Sequence, residues 1–393
     1  MNTIEMTNDY ITPTYNRLDV VIQKAEGCTL TDEDGKTYLD FTAGIGVNSL
    51  GYNHKKWVEA TQNQLSQLQH VSNLYYTKPA AELAGKLCQK TGMQHVLFVN
   101  SGAESNEVAI KTARKYGHET HKDKHKILTL KNSFHGRTVT TLSATGQDIF
   151  HKYFDPFTEG FDFIDADEPK QLLDKADDTV CAIMIEAIQG EGGVVPLDTE
   201  FTEAVSKVCQ EKDILLIIDE VQTGIGRIGT LFAYEQLGLK PDIVTSAKGL
   251  GNGLPIGAVL FGEKVADTLK AGDHGSTFGG NPVATAGANI VIDTLTEEFL
   301  DQVKEKGEYL KAQLEAIDEV AAVSGLGLML GISLKSQSVK DVMLKAKEEG
   351  IMCLTAKDKL RLLPPLIVTR SEIDEAVACL KHILTVKEKE TIT

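Results

Sequence analysis

Basic side chains are in short supply: 40 Lys and Arg stand against 56 Asp and Glu, a formal charge of −16 with histidine neutral. Nucleic acid and anionic membranes both recruit basic surface, so neither is expected as a partner. No apolar stretch approaches the roughly 20 residues that a membrane-spanning helix requires. Met1–Tyr15 is polar, carries Glu5 and Asp9, and lacks the basic start and apolar core of a secretory leader. Cysteines are few (Cys28, Cys88, Cys181, Cys209, Cys353 and Cys379) and none forms a Cys-x-x-Cys pair. They read as reduced, mostly packed thiols of a cytoplasmic protein. Repeats, low-complexity tracts and Ser/Pro linkers are also missing. The remainder, 393 residues of which 42% are hydrophobic and 24% charged, suffices for a sizeable core and roughly two to three domains.

Between about residues 94 and 262, short apolar runs alternate with amphipathic helical patterns. The runs are Val96–Val99, Ile127–Leu130, Cys181–Ile185, Ile214–Ile218, Ile243–Val244 and Ile256–Phe261. Apolar at nearly every position, they predict strands covered on both faces. Glu104–Tyr116 and Thr202–Gln210 predict helices between them, which makes this an α/β region with a largely parallel sheet. Cys28–Thr31 and Lys36–Phe41 flank the turn Asp32-Glu33-Asp34-Gly35 and predict a hairpin. Glu297–Ile317 and Val339–Gly350 predict helices around a Gly-punctuated strand region, Gly325–Leu334. The expected organisation is an N-terminal segment over residues 1–45 that packs with a small domain, a large domain over 46–285, and a smaller α+β domain over 286–393.

Three tempting motifs carry little. Gly224-Ile225-Gly226-Arg227-Ile228-Gly229 matches the dinucleotide pattern, but that pattern needs its first glycine directly after a strand. Here the apolar strand stops at Asp219 and a polar segment intervenes, so a flexible turn is expected. Gly35-Lys36-Thr37 lacks the earlier glycine of a phosphate loop and is explained by the hairpin. His121 and His125 sit in a Lys-rich stretch with no catalytic glutamate between them, so no metal site is expected.

Chemistry gathers where apolar strands hand polar groups to the carboxyl edge of the sheet, the edge at which open α/β sheets bind ligands. Val96–Val99 runs into Asn100-Ser101-Gly102-Ala103 and then a helix start, whose free N–H groups and positive dipole end suit a phosphate. Ile214–Ile218 ends on Asp219, a carboxylate that must be paired or hydrogen-bonded if buried. Ile243-Val244-Thr245-Ser246-Ala247 leads to Lys248, followed by Gly249, Gly251 and Gly253. Taken singly, these are a helix junction, an N-cap or buried ion pair, and a surface lysine. Together they are the parts that hold pyridoxal 5'-phosphate: a Schiff-base lysine, and an acid that keeps the pyridine nitrogen protonated.

At this point the sequence resembles a known family, the class III (ornithine/acetylornithine-type) pyridoxal-phosphate aminotransferases. The likeness runs from about Tyr15 to Pro365. Its markers, in the family's order, are Asn100-Ser101-Gly102-Ala103-Glu104-Ser105-Asn106, Ser133-Phe134-His135-Gly136-Arg137-Thr138, Gln189-Gly190-Glu191-Gly192-Gly193, Asp219-Glu220-Val221-Gln222-Thr223-Gly224, Ser246-Ala247-Lys248-Gly249 and Gly275-Ser276-Thr277-Phe278-Gly279-Gly280-Asn281-Pro282. The resemblance implies fold type I (aspartate-aminotransferase-like), with a large, mostly parallel sheet domain and a smaller α+β C-terminal domain.

It also implies roles. Lys248 is the covalent lysine and proton carrier, and Asp219 the partner of the ring nitrogen. Phe134 stacks on the ring, Gln222 lies near its phenolic oxygen, and Gly102 and Ala103 offer N–H groups to the phosphate. Thr277 reaches the phosphate from a neighbouring subunit with Ser276 beside the substrate, which implies a homodimer with shared sites. Arg137 holds the distal carboxylate and Arg361 the α-carboxylate of glutamate, since a guanidinium grips carboxylates bidentately. Glu191 is the gate that pairs with Arg361 while a terminal amine reacts. Tyr15 is carried over as a substrate-binding position. Ile45, where ornithine aminotransferases carry a tyrosine, suits an acylated amine. The substrates implied are N2-acetylornithine and 2-oxoglutarate/glutamate. Ornithine, succinylornithine, succinyl-diaminopimelate and 4-aminobutyrate remain open as donors. A non-transaminating pyridoxal-phosphate enzyme and a nucleotide-binding oxidoreductase remain open as other classes.

Overall fold

Runs of side chains that are apolar on both faces cannot stay wet, and in the computed structural model, which describes residues 1–385, they form one central sheet. Its seven strands lie in the order His95–Val99, Gly257–Phe261, Ile243–Ser246, Leu215–Asp219, Val180–Glu186, Lys126–Leu130 and Phe161–Ile164. The last five are mutually parallel. Gly257–Phe261 runs antiparallel to both neighbours. All residues of Val180–Glu186, Leu215–Asp219 and Ile243–Ser246 are buried, as expected of central strands covered by helices. The edge strand Phe161–Ile164 was not among the expected runs. Its Asp162 and part-exposed phenylalanines break the apolar signature because one margin of the strand lacks a neighbour.

Helix Gly102–His121 follows the first strand and packs on Gly257–Phe261, Ile243–Ser246 and Val180–Glu186. It starts before the expected Glu104, because Ser101 caps it by accepting from the Glu104 N–H, and it runs past the expected Tyr116 to His121. Helix Thr199–Lys212 is capped in the same way by Asp198.

The expected hairpin is present as Thr29–Asp32 paired with Thr37–Asp40. Ile351–Met352 adds to it in parallel, opposite Leu39 and Asp40, so the N-terminal segment is tied to the C-terminal part of the chain. The Gly-punctuated strand region expected over Gly325–Leu334 is part of two strands, Val320–Leu326 and Met329–Leu334, folded back at Gly327 with φ of 52°. They continue into Lys359–Leu362 and Leu354–Ala356, an antiparallel four-stranded sheet. Helices Glu297–Glu315 and Val339–Glu348 pack with it, and Arg370–Thr385 packs with both of those helices. The boundary expected at residue 285 falls inside helix Pro282–Thr294. That helix packs against Lys55–Gln67 and Lys78–Thr91, which keeps it with the preceding part of the chain.

The Gly224–Gly229 stretch is a turn, but a packed one: Ile225, Arg227 and Ile228 are buried. Gly226 and Gly229 take φ of 82° and 89°, backbone that glycine adopts without a Cβ penalty. No helix among the described residues is long and apolar enough to cross a membrane, and no cluster of metal-ligating side chains occurs among them.

Candidate active site

Five strand ends and the loops after them line one cavity of about 590 Å³. Leu215–Asp219 supplies Asp219 and Gln222, Val180–Glu186 supplies Glu186 and Glu191, Ile243–Ser246 leads to Lys248, and His95–Val99 leads to Asn100–Ala103. Phe134, His135, Gly136 and Arg137, from the loop after Lys126–Leu130, close one side, and Tyr15 stands at the exposed margin.

Asp219 is buried, and its carboxylate is satisfied from three directions. Oδ2 accepts from Asn106 Nδ2 at 2.7 Å and lies 2.8 Å from His135 Nδ1, while Oδ1 accepts from the Val221 N–H at 3.0 Å. This is the arrangement a buried carboxylate needs. Burial alone would lower the His135 pKa, but its hydrogen bond to Asp219 and the charges of Asp219 and Glu186 outweigh that and raise it. Glu186 lies directly beside Asp219 in the parallel register. Burial pushes its carboxyl up to about 7. The sequence reading missed Glu186, His135 and Asn106. Glu186 follows an all-apolar run just as Asp219 does, and that shared pattern was the available signal.

Lys248 takes a φ of 40°, a strained backbone for a side chain with a Cβ and one that collects at functional sites. Burial lowers its pKa to about 8, against the opposing pull of Glu191. Its amine makes no hydrogen bond or ion pair among the described residues and lines the cavity. A buried amine whose pKa is brought down to about 8 gives up its proton readily, and the neutral form is the nucleophile toward a carbonyl.

At the start of helix Gly102–His121, Ser101 serves the Glu104 N–H, which leaves the Gly102 and Ala103 N–H groups in the first turn for a ligand. The position demands glycine: a Cβ on Gly102 would stand 2.6 Å from Val221 Cγ1. The Phe134 ring meets Phe150 edge-on at 5.8 Å. The Arg137 guanidinium lies 4.1 Å from the Phe150 ring centroid and 5.4 Å from that of Phe134. Arg137 makes no ion pair among the described residues, so its charge is available to an anion. Pyridoxal phosphate fits this donor set. The helix start suits its phosphate, Asp219 a protonated ring nitrogen, Phe134 the ring plane and Lys248 the aldehyde.

Arg361 is 3% exposed, whereas its place in Lys359–Leu362 read alone suggests a surface side chain. Nη1 donates to Glu191 Oε1 at 2.6 Å and to Gln222 Oε1 at 3.2 Å, and Gln222 Nε2 donates to Glu191 at 3.3 Å. Nε is buried without a partner among the described residues. Burial would raise the Glu191 pKa, but the Arg361 charge and hydrogen bond lower it, so the pair is ionic.

Ser276 and Thr277 are not brought into this chain's cavity. The Ser276 hydroxyl accepts from Asn100 Nδ2 and from the Gly279 N–H, and Thr277 is exposed. Ile45, expected to face the substrate amine, is 44% exposed, and Val47 lines the cavity instead. Left-handed backbone at Gly44 and Ile45, with φ of 63° and 67°, accompanies that placement.

Residues 10–384 match the model of the aminotransferase class-III family. The chain is 51% identical over 384 residues to the acetylornithine aminotransferase of Haemophilus ducreyi, covering 97% of this chain and 98% of that protein. Among solved structures it resembles the N-acetylornithine aminotransferase from Stenotrophomonas maltophilia K279a, with a TM-score of 0.84, 35% identity and coverage of 97% and 98%. It also resembles the ornithine aminotransferase from Toxoplasma gondii, described with pyridoxal phosphate at partial occupancy in its active site, with a TM-score of 0.91, 32% identity and coverage of 97% and 93%. The chain belongs to the class-III aminotransferases, enzymes whose coenzyme is pyridoxal 5'-phosphate.

Proposed function

We propose that this chain transfers the δ-amino group of N2-acetyl-L-ornithine to 2-oxoglutarate, giving the acetylated semialdehyde and glutamate. The step belongs to arginine biosynthesis in the cytoplasm. Curated relatives named acetylornithine aminotransferase, with 42–51% identity over nearly the whole chain, support the substrate. The observation that carries the reading is the Glu191–Arg361 pair beside the buried Lys248 and Asp219. One site must accept two donors, a terminal amine without a neighbouring carboxylate and glutamate with one. With Glu191 on Arg361 the site is neutralised for the first. With Glu191 withdrawn, the guanidinium offers a bidentate seat to the α-carboxylate of the second.

The bound coenzyme supplies the carbonyl that exchanges with the substrate amine and the ring that takes up charge from the reacting carbon. The rest falls to this chain. Lys248 Nζ, when neutral, takes the proton from the substrate carbon and returns it on the far side of the transfer. Asp219 keeps a proton on the ring nitrogen, and His135 and Asn106 hold Asp219 in place. Phe134 fixes the ring plane, Gln222 serves its phenolic oxygen, and Gly102 and Ala103 hold the phosphate. Arg137 takes the distal carboxylate, with Tyr15 at the mouth.

Thr277 and Ser276 lie outside their own chain's cavity, which supports their service to a second copy in a homodimer. Exposed Leu74, Tyr75, Tyr76 and Phe278 are the apolar surface that such an assembly would cover. The six cysteines stand as free thiols, in keeping with a reducing compartment.

The test is a donor panel with 2-oxoglutarate: N-acetylornithine, ornithine, N-succinylornithine and 4-aminobutyrate. The acetylated donor is expected to give the highest kcat/KM. Free ornithine well above it would overturn the assignment, and turnover without any oxo-acid would overturn transamination.

A further inference from the structure

Glu186 sits at the end of a central strand, buried, and is not needed to hold the coenzyme in the reading above. Its two carboxylate oxygens are divided between two loops. Oε2 accepts the backbone N–H of Phe134 at 3.0 Å, and Oε1 accepts the backbone N–H of Gly190 at 3.3 Å. Phe134 carries the ring that meets the coenzyme plane, and Gly190 immediately precedes Glu191. Gly190 is itself packed tight, since a Cβ there would lie 2.3 Å from Gln222 Oε1, the atom that accepts from Arg361. One rigid side chain therefore joins the loop bearing the ring to the turn bearing the carboxylate opposite Arg361.

We propose that Glu186 is a positioning residue that couples the seat of the coenzyme ring to the setting of the Glu191–Arg361 pair, and so helps to set the balance between the two amino donors. The proposal rests on the gate reading of Glu191. A carboxylate is suited to the task because it accepts on both oxygens, whereas a carboxamide accepts on one and presents donors from the other. Against a backbone N–H, the amide end of a glutamine repels, so one of the two loops is released. Hydrogen bonds from backbone N–H to a buried carboxylate are among the stronger ones, so the release is felt. Protonation of Glu186, which burial brings up to about 7, removes the same double acceptance. The titratable groups that face it are His135, Asp219 and Lys248.

The experiment measures both half-reactions of the coenzyme-loaded enzyme, with N-acetylornithine and with glutamate, by stopped-flow absorbance. Wild type, Glu186→Gln and Glu191→Ala are compared at pH 8, with melting temperature and coenzyme content as controls. Glu186→Gln is expected to stay folded and loaded while the ratio of the two kcat/KM values moves about tenfold from wild type. A ratio within twofold of wild type in a loaded Glu186→Gln enzyme overturns the coupling. If Glu191→Ala shifts the ratio and Glu186→Gln does not, the coupling alone is lost. If neither shifts it, the gate reading falls as well. Should the glutamine variant fail to load, Glu186→Asp decides by the same ratio. It keeps the charge, and its shorter reach cannot serve both N–H groups, so an unchanged ratio there also overturns the coupling.

Discussion

Arg361 Nη1 and Glu191 Oε1 meet at 2.6 Å, in a pair whose arginine is almost wholly buried. A buried ion pair gains little net stability, but removing one partner leaves the other uncompensated. Glu191→Ala therefore frees Arg361 for carboxylates. The glutamate half-reaction should hold or improve, and the terminal-amine half-reaction should slow by about tenfold, equivalent to roughly 1.4 kcal/mol. Single-turnover rates for each donor check this.

Arg361→Lys keeps the charge but loses the fork that matches a carboxylate. The KM for 2-oxoglutarate should rise by about 10²-fold, the loss of roughly 3 kcal/mol of charge-assisted hydrogen bonding, with a smaller effect on the terminal-amine donor. Steady-state kinetics at varied 2-oxoglutarate would show it. A KM within threefold of wild type would assign the α-carboxylate elsewhere.

Gly102→Ala places a methyl carbon 2.6 Å from Val221 Cγ1. Overpacking of this kind costs about 1–3 kcal/mol. The Kd for the coenzyme, followed by dialysis, should rise about tenfold. Trimming the neighbour in Gly102→Ala/Val221→Ala should restore most of the affinity.

Asp219→Asn removes the charge that His135, Asn106 and the Val221 N–H surround. The loss of roughly 3 kcal/mol expected on breaking a buried charge pair predicts kcat down by about 10²-fold or more. Stopped-flow rates with the coenzyme content held constant test this. An asparagine enzyme within fivefold of wild type would remove Asp219 from the ring nitrogen.

Lys248 gives a pH signature. Its pKa falls from 10.5 in the open chain to about 8 on burial. Between those values the unfolded chain binds a proton here that the folded chain does not, so this group makes stability rise with pH from about 8 to 10.5. Urea titrations of coenzyme-free wild type should gain stability relative to Lys248→Met across that window. The rate of coenzyme uptake should climb with the free amine and level off above about pH 8. A flat uptake profile from pH 6.5 to 9 would place the amine outside this range.

Much of this arrangement is legible in the chain because of where water is excluded. Leu215–Asp219 is buried at every residue, and its uninterrupted apolar character ending in an acid marks both a central strand and a paired carboxylate. Phe161–Ile164 has water on one margin, and its mixed composition hides it. Arg361 and its partner Glu191 lie 170 residues apart, and no local pattern reports such a contact; only the resemblance to the family names the pair. His135 and Asn106 stand in the sequence as parts of motifs without roles, because their roles arise only when a loop and a helix meet the strand end at Asp219.

Strand Gly257–Phe261 returns antiparallel alongside Ile243–Ser246 instead of crossing over as the parallel strands of the sheet do. Both flanks of the segment bearing Lys248 are thereby stitched into the same ladder, so thermal wandering of the nucleophile is restrained from either direction. Its amine begins each encounter with most of the freedom of an open loop already surrendered during folding, which spares that entropic loss at the moment of reaction.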